Sequence, residues 1–257
     1  MQTLARVPFF KDSELDFEKF DRRCAWKRYD EGEIVVDFED SSSDVYFIIS
    51  GDVRILIRTQ AGKEIILGEM KGGQFFGELA AIDDTARSAN VTAMTNAEMC
   101  IMPATVFKEA VHSSPAIADR LLKLLTNRIR ELNARLTEHS IFDVKHRLYS
   151  ELLRLSVQRP GATGERAVSP PPFHHVLAAR IGCRREQVTR ELSSLSHEDL
   201  VIRTRGAPAN MPVTFPPSLR NSSMSALLNA SKSLLKSSRF GIAGANVEPM
   251  ARIPEDE

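Results

Sequence analysis

One carboxylate and one guanidinium stand nine residues apart in a stretch that is otherwise mostly small and apolar, Gly73 to Ala93, GQFFGELAAIDDTARSANVTA. Glu78 follows Gly77, and Arg87 precedes Ser88. A short helix starting near Gly77 would present free backbone N–H groups, which suit a phosphate. Arg87 would add a charge-assisted contact to the same phosphate. Glu78 would then suit a neutral donor such as a ribose hydroxyl, the part an acidic residue plays in dinucleotide sites. No second carboxylate or histidine is grouped with Glu78, so the pattern is not an acid–base dyad. On residue types alone the plainer alternative, in which Glu78 and Arg87 pair with each other, is preferred.

A second constellation lies near the other end. Leu177 to Cys183, LAARIGC, reads as a short helix ending in a glycine turn, and Arg184 to Leu195 reads as a second helix. Val188, Leu192 and Leu195 form the apolar face of that second helix, with Arg185, Glu186, Thr189 and Arg190 on or beside the opposite face. Two helices joined by a tight turn containing Gly make the helix-turn-helix pattern. Exposed residues near the start of its second helix are the ones that meet base edges. Arg takes guanine O6 and N7, and Glu accepts from cytosine N4. LVIRTRG and MPVTF read as the two strands of a wing. An ordinary helical hairpin with a salt-bridged surface is the competing reading.

The elements between these sites must position them. Residues 26–110 read as short strands separated by Gly, Asp and Ser turns, the spacing of a sandwich, jelly roll or barrel. Residues 115–140 read as one helix with Pro115 just inside its start. There Leu122, Leu125, Ile129, Leu132 and Leu136 step by 3 and 4, a narrow seam that seeks a partner helix, most simply its twin. Packing on its own domain is the alternative. Another helix follows from about Phe142 to Gln158, and RPGATGERAVSPPP reads as a linker or exposed loop. From about Pro216 the chain is Ser-rich. That tail is expected to be disordered or one amphipathic helix, which packing explains better than a membrane surface.

Composition narrows the classes further. Hydrophobic residues make up 42% and charged residues 26% of the 257, ordinary for a soluble globular chain. Three cysteines, far apart and without a C-x-x-C pair, make neither a disulfide framework nor a zinc site. The N-terminus lacks a secretory core and no run is long enough to span a membrane, so a cytoplasmic location is expected. The net charge of zero conceals an asymmetry. Residues 1–110 carry 13 Lys+Arg against 20 Asp+Glu, and residues 111–257 carry 21 against 14. The basic half suits nucleic acid or an anionic membrane.

FGELAAIDDTARSANV resembles the phosphate-binding cassette of cyclic-nucleotide-binding domains, and RIGCRREQVTREL resembles the recognition element of the Crp/Fnr family. The order of parts is also similar to that family over roughly residues 7–215. The resemblance implies an α+β chain of four parts. Residues 1–112 would be a jelly-roll-like β-roll that binds the nucleotide, and residues 113–140 the dimerisation helix. Residues 141–215 would be a winged helix-turn-helix, and residues 216–257 an extension. Gly77 and the backbone beside it, through Leu79, would approach a cyclic phosphate. Glu78 would bind the ribose 2′-hydroxyl, Arg87 the phosphate, and Ser88 the phosphate or a syn purine.

Where the family presents two hydroxyl residues to the base, an ungapped match places Leu132 and Asn133. Only Asn133 can hydrogen-bond there through its side chain, reading adenine or guanine. The ligand implied is therefore cyclic AMP or cyclic GMP, without metal or haem. Arg185, Glu186 and Arg190 match the base-reading positions, implying a TGTGA-like palindrome. Arg184 replaces the usual Ser at the helix start and adds a candidate phosphate contact. The implied partners are double-stranded DNA, a second copy of the chain and RNA polymerase, with no membrane and no enzymatic activity. Two rivals remain. One is a regulator that is constitutive or uses another effector. The other is a nucleotide-binding signalling module with a protein or membrane partner.

Overall fold

The computed structural model describes residues 3–59, 62–158, 166–202 and 213–215. A short helix, α1 (Phe17–Asp21), precedes eight strands: β1 (Ala25–Tyr29), β2 (Ile34–Val36), β3 (Val45–Ser50), β4 (Asp52–Arg58), β5 (Glu64–Lys71), β6 (Phe75–Phe76), β7 (Asn90–Ala93) and β8 (Ala97–Met102). They form two antiparallel four-stranded sheets, in the orders β1-β8-β3-β6 and β2-β7-β4-β5. The two-residue period of β3 serves two cores at once. Tyr46 and Ile48 point between the sheets, among Val53, Val91 and Met99. Val45 and Phe47 point outward, where Phe9, Phe10, Phe75 and Phe107 cover them. Burial on both faces is why VYFII reads as a continuous apolar run. The chain crosses from β3 in one sheet to β4 in the other at Gly51 (φ 85°), where a Cβ would lie 2.5 Å from the Asn96 carbonyl oxygen.

Within the strand series sits α2 (Glu78–Asp83), and after it come α3 (Ala104–Ser113) and α4 (Pro115–Ile141). Ile117 and Leu121 anchor the start of α4 in the outer core. Beyond them the helix leaves the sandwich, and Leu122, Ile129, Leu132 and Leu136 are 58–67% exposed. Leu125 of the same seam is half-buried against the outer core of its own chain.

Phe142 ends α4, and the Asp143 carboxylate caps α5 (Val144–Leu155) by accepting from the His146 N–H at 2.9 Å. A three-stranded sheet follows, ordered β11-β10-β9, from β9 (Val157–Gln158), β10 (Arg166–Val168) and β11 (Val213–Phe215). The expected loop RPGATGERAVSPPP therefore contains a strand. Ala167 and Val168 are buried, and Arg166 donates to Ser156 Oγ at 2.7 Å. The return strand of the wing joins β10, and Thr214 bridges Ile202. The helices α6 (His174–Ile181) and α7 (Arg185–His197) pack with α5 around Leu148, Leu152, Leu177, Val188 and Leu192. The expected tail helix lies outside the described residues.

Candidate nucleotide cavity and nucleic-acid interface

Gly77 precedes α2 in the left-handed conformation (φ 89°). A Cβ there would lie 2.6 Å from Arg87 Nη1 and 2.7 Å from the Asp44 carbonyl oxygen, so only glycine lets the Arg87 side chain pass. Arg87 is 4% exposed. Its Nε donates to Ser42 Oγ at 3.0 Å, Nη2 to the Asp44 carbonyl at 2.7 Å and Nη1 to the Gly77 carbonyl at 3.3 Å. The Tyr46 ring lies 5.5 Å from the guanidinium carbon. All these partners are neutral. Among the described residues no carboxylate reaches Arg87 within ion-pair distance.

Glu78 does not pair with Arg87. It is 1% exposed and pairs with Arg128 of α4, whose Nη2 also donates to the Phe75 carbonyl at 3.1 Å. One carboxylate oxygen is thereby used, while Oε2 is buried with no hydrogen-bond partner in the structure. Burial pushes the Glu78 carboxyl above its ordinary range; the positive charges of Arg128 and Arg87 oppose that shift without cancelling it. Arg128 escapes a reading confined to the cassette because it lies 50 residues further along the chain.

A cavity of about 1000 Å³ joins these groups. Gly77, Glu78, Leu79, Arg87 and Ser88 all line it, with Leu124, Arg128, Glu131, Leu132 and Arg135 along α4. Taking Leu122, Ile129 and Leu136 as one line of the seam and Leu125 and Leu132 as the other, Arg128 and Arg135 flank it on one side. Asn133 flanks it on the opposite side, and it is absent from the described cavity lining. Arg135 Nη1 also donates to the Leu67 carbonyl of β5 at 2.6 Å, tying α4 to the cavity wall.

In the C-terminal module, Gly182 (φ 69°) ends α6 and turns the chain into α7. Arg184, Arg185, Glu186, Thr189 and Arg190 are all exposed on or just before α7, opposite buried Val188, Leu192 and Leu195. The guanidinium of Arg184 cannot accept a hydrogen bond, so the helix start is capped from the other side: Gln187 Oε1 accepts from the Arg184 N–H at 3.0 Å. Thr189 is more constrained than its exposure suggests. Its hydroxyl lies 2.8 Å from His174 Nδ1 and 3.2 Å from the Arg185 carbonyl oxygen. His174 thus joins the start of α6 to the recognition face, a tie that the sequence pattern does not announce.

Comparison with known proteins identifies the two modules that carry these residues. Residues 26–114 match the family described as cyclic nucleotide-binding domain, and residues 146–221 match the Crp-like helix-turn-helix domain. The chain is 29% identical over 188 residues to the cAMP-activated global transcriptional regulator Vfr of Pseudomonas aeruginosa. It is 27% identical over 185 residues to the cAMP-activated global transcriptional regulator CRP of Salmonella typhimurium. Each match covers 72% of this chain and 88% of the relative. Among solved structures, a CooA mutant from Carboxydothermus hydrogenoformans shares the fold with a TM-score of 0.66 at 16% identity, covering 85% of this chain and 92% of the other. The c-di-GMP responsive regulator CLP of Xanthomonas campestris shares it with a TM-score of 0.64 at 23% identity, covering 77% of this chain and 96% of the other. With a nucleotide-binding module ahead of a Crp-like DNA-binding module, and regulators aligned along most of its length, the chain belongs to the Crp/Fnr family of transcription regulators.

Proposed function

We propose that this regulator is gated by a cyclic mononucleotide and binds a TGTGA-like palindrome as a homodimer. The observation that carries the reading is Arg87: a buried guanidinium, facing a cavity, that meets only neutral acceptors. A buried cation without a counter-charge is costly, and an anion in the cavity relieves that cost. Beside it, Glu78 Oε2 has an unused acceptor site that a ligand hydroxyl can fill. One anionic group next to one hydroxyl donor is the chemistry of a cyclic nucleotide's phosphate and ribose. Cyclic AMP is the first candidate, because the aligned regulators Vfr and CRP are cAMP-activated. Cyclic GMP is the second.

The α4 seam supports the dimer: four large apolar side chains stand exposed along its two lines, where a second copy covers them. In that dimer Asn133, on the far flank, faces the partner's cavity and contributes its amide to the partner's ligand. Arg185, Glu186 and Arg190 are the proposed base readers, with Arg184 on phosphate. Thr189, held between His174 and the Arg185 carbonyl, orients the helix. Contact with RNA polymerase and a cytoplasmic site of action belong to the same reading. Among the described residues, no helix is long and apolar enough to cross a membrane.

A second reading rests on Leu132, which lines the cavity where the resemblance leads one to expect a hydroxyl. On that reading the effector is another small anion. Anisotropy of a labelled palindrome separates the two, run at fixed salt without nucleotide, with cyclic AMP and with cyclic GMP. One nucleotide should tighten DNA binding by roughly 5–150-fold, the typical range of allosteric coupling. Identical tight curves in all three would favour the second reading.

A further inference from the structure

Two guanidiniums line the cavity without a counter-charge. Arg87 is the first. Arg135 of α4 is the second: it is half-buried, and its Nη1 donates to the Leu67 carbonyl of β5 at 2.6 Å. A guanidinium carries its N–H donors in a planar fork, and this bond uses a single one of them. Among the described residues no carboxylate lies within ion-pair distance of Arg135. Glu138, one turn on, pairs with Arg154 at 2.8 Å instead. Glu69 also lines the cavity, but its Oε1 is already taken by Arg54 at 2.8 Å and by Arg180 at 2.6 Å. Arg135 is therefore the polar group with donors to spare at the far end of the cavity from Arg87.

Its position follows from the other contacts. With a phosphate on Arg87 and a ribose hydroxyl on Glu78, the ribose end of a nucleotide lies near Arg128, which pairs with Glu78. Arg135 follows Arg128 on the same flank about two turns along α4, a rise of ~10 Å. Long helical side chains lean back toward the helix N-terminus, which carries the Arg135 head group over the turn that holds Leu132. Leu132 and Leu67 are apolar members of the lining there. They give the flat faces of a purine something to pack on, and neither side chain hydrogen-bonds its edge.

We infer that Arg135 reads the base of the bound nucleotide and selects guanine over adenine. The inference rests on the proposed cyclic-nucleotide site. A guanidinium donates and never accepts. Guanine offers its fork two adjacent acceptors, O6 and N7, whereas adenine sets an amino donor beside N7. Guanine thus satisfies both N–H groups of the fork, and adenine opposes one of them. Leu132 supplies no hydroxyl to accept from the adenine amino group. Glu131, exposed on the same helix and also in the lining, accepts from that amino group or from guanine N1–H alike, so it does not decide between the bases. The chemistry of the cavity puts cyclic GMP ahead of cyclic AMP, the reverse of the order that the aligned cAMP-activated regulators suggest.

The test is calorimetry on the full chain and on Arg135→Leu and Arg135→Lys. The ligands are cyclic GMP, cyclic AMP and cyclic IMP, whose base keeps O6 and N7 but lacks the 2-amino group. Wild-type protein should prefer cyclic GMP to cyclic AMP by roughly 5–150-fold, the span of one bidentate arginine–guanine pair, and cyclic IMP should follow cyclic GMP. Arg135→Leu should lose that preference through weaker binding of cyclic GMP and cyclic IMP, with cyclic AMP little changed. Arg135→Lys, a point charge in place of a fork, should fall between. The wild-type preference and its cyclic IMP arm need no variant, so they decide even if a variant does not fold. A wild-type preference for cyclic AMP overturns the inference. So does equal weakening of all three nucleotides in Arg135→Leu, which would make Arg135 only a strut between α4 and β5. Anisotropy of a labelled TGTGA-type palindrome reads the gating separately. Selective cyclic GMP binding that leaves DNA affinity unchanged would remove the gating and keep the base selection, whereas binding of no nucleotide at all overturns both.

Discussion

Two arginines of this chain are nearly buried and serve opposite ends. Arg87 meets a hydroxyl, two carbonyls and an aromatic ring. Arg180 meets two carboxylates, one from each module. Desolvation penalises both alike, so the partners decide the outcome. A guanidinium whose neutral neighbours hold it in place but leave its charge uncompensated is prepared for an anion from outside. A guanidinium between carboxylates already has its charge compensated and ties the two modules together. Buried charge is thus not one signal but two, told apart by what stands within hydrogen-bond reach.

The sharpest way to break the comparison is to turn a compensated charge into an uncompensated one. Arg128→Ala leaves the Glu78 carboxylate buried without its cation. Loss of one partner of a buried pair costs about 3–5 kcal/mol, reduced here to roughly 2–4 because the Arg128 side chain is partly exposed. Urea unfolding at neutral pH should show that loss, and Glu78→Gln in the same chain should recover part of it. No recovery would mean that Arg128 acts through packing.

Arg87→Met should do the reverse. With no ion-paired carboxylate left behind, and with the desolvation cost of the cation removed along with its three hydrogen bonds, folding stability should fall by only about 1 kcal/mol, less than in Arg128→Ala. Nucleotide affinity should fall steeply, by about 2–5 kcal/mol, the cost of truncating a buried charged contact. Calorimetry and thermal unfolding on one preparation read both numbers. A large stability loss with unchanged affinity would make Arg87 the structural residue and end the distinction.

Arg185→Ala gives a smaller effect on the exposed side of the molecule. If Arg185 reads a base, DNA affinity should fall by about 1–3 kcal/mol and discrimination should relax at one position of the site. Equal losses on every sequence would place the side chain on phosphate instead.

These cases also show what was legible in the sequence. The cassette and the recognition helix could be read because their residues are close along the chain. Glycine at a left-handed position beside Glu78 and the 3–4 spacing of Val188, Leu192 and Leu195 are local signals. The Arg128–Glu78 pair spans 50 residues, and Arg128 sits one position before the seam residue Ile129, so it reads as a solvated flank charge. The Glu69–Arg180 pair joins two modules, and neither residue belongs to a local motif. Arg166–Val168 is hidden by the Pro and Gly around it, and its burial, exposed Arg166 followed by buried Ala167 and Val168, does not alternate as a half-buried strand would. What the sequence left unread is the pairing between distant charges, which the topology alone determines.

The finest test of the comparison is pH, because Glu78 sits between the two regimes, paired through one oxygen and open at the other. Burial holds its carboxyl above the ordinary range against the pull of Arg128 and Arg87. In the unfolded chain a glutamate titrates near pH ~4.3. Between that value and its higher folded value, the native state binds more protons. The stability from this proton uptake is therefore fully present below the unfolded value and lost as pH rises through the folded one. Nucleotide affinity should move the opposite way. A carboxylate is the better acceptor for the ribose hydroxyl, so affinity should weaken as pH falls through the folded value, starting above the ordinary carboxylate range. Cyclic AMP calorimetry from roughly pH 8 down to 5 reads the second trend, and urea unfolding over the same range reads the first. Glu78→Gln should flatten both. A pH dependence of affinity that persists in Glu78→Gln would assign the titration to another group and leave the unfilled oxygen of Glu78 without a role in binding.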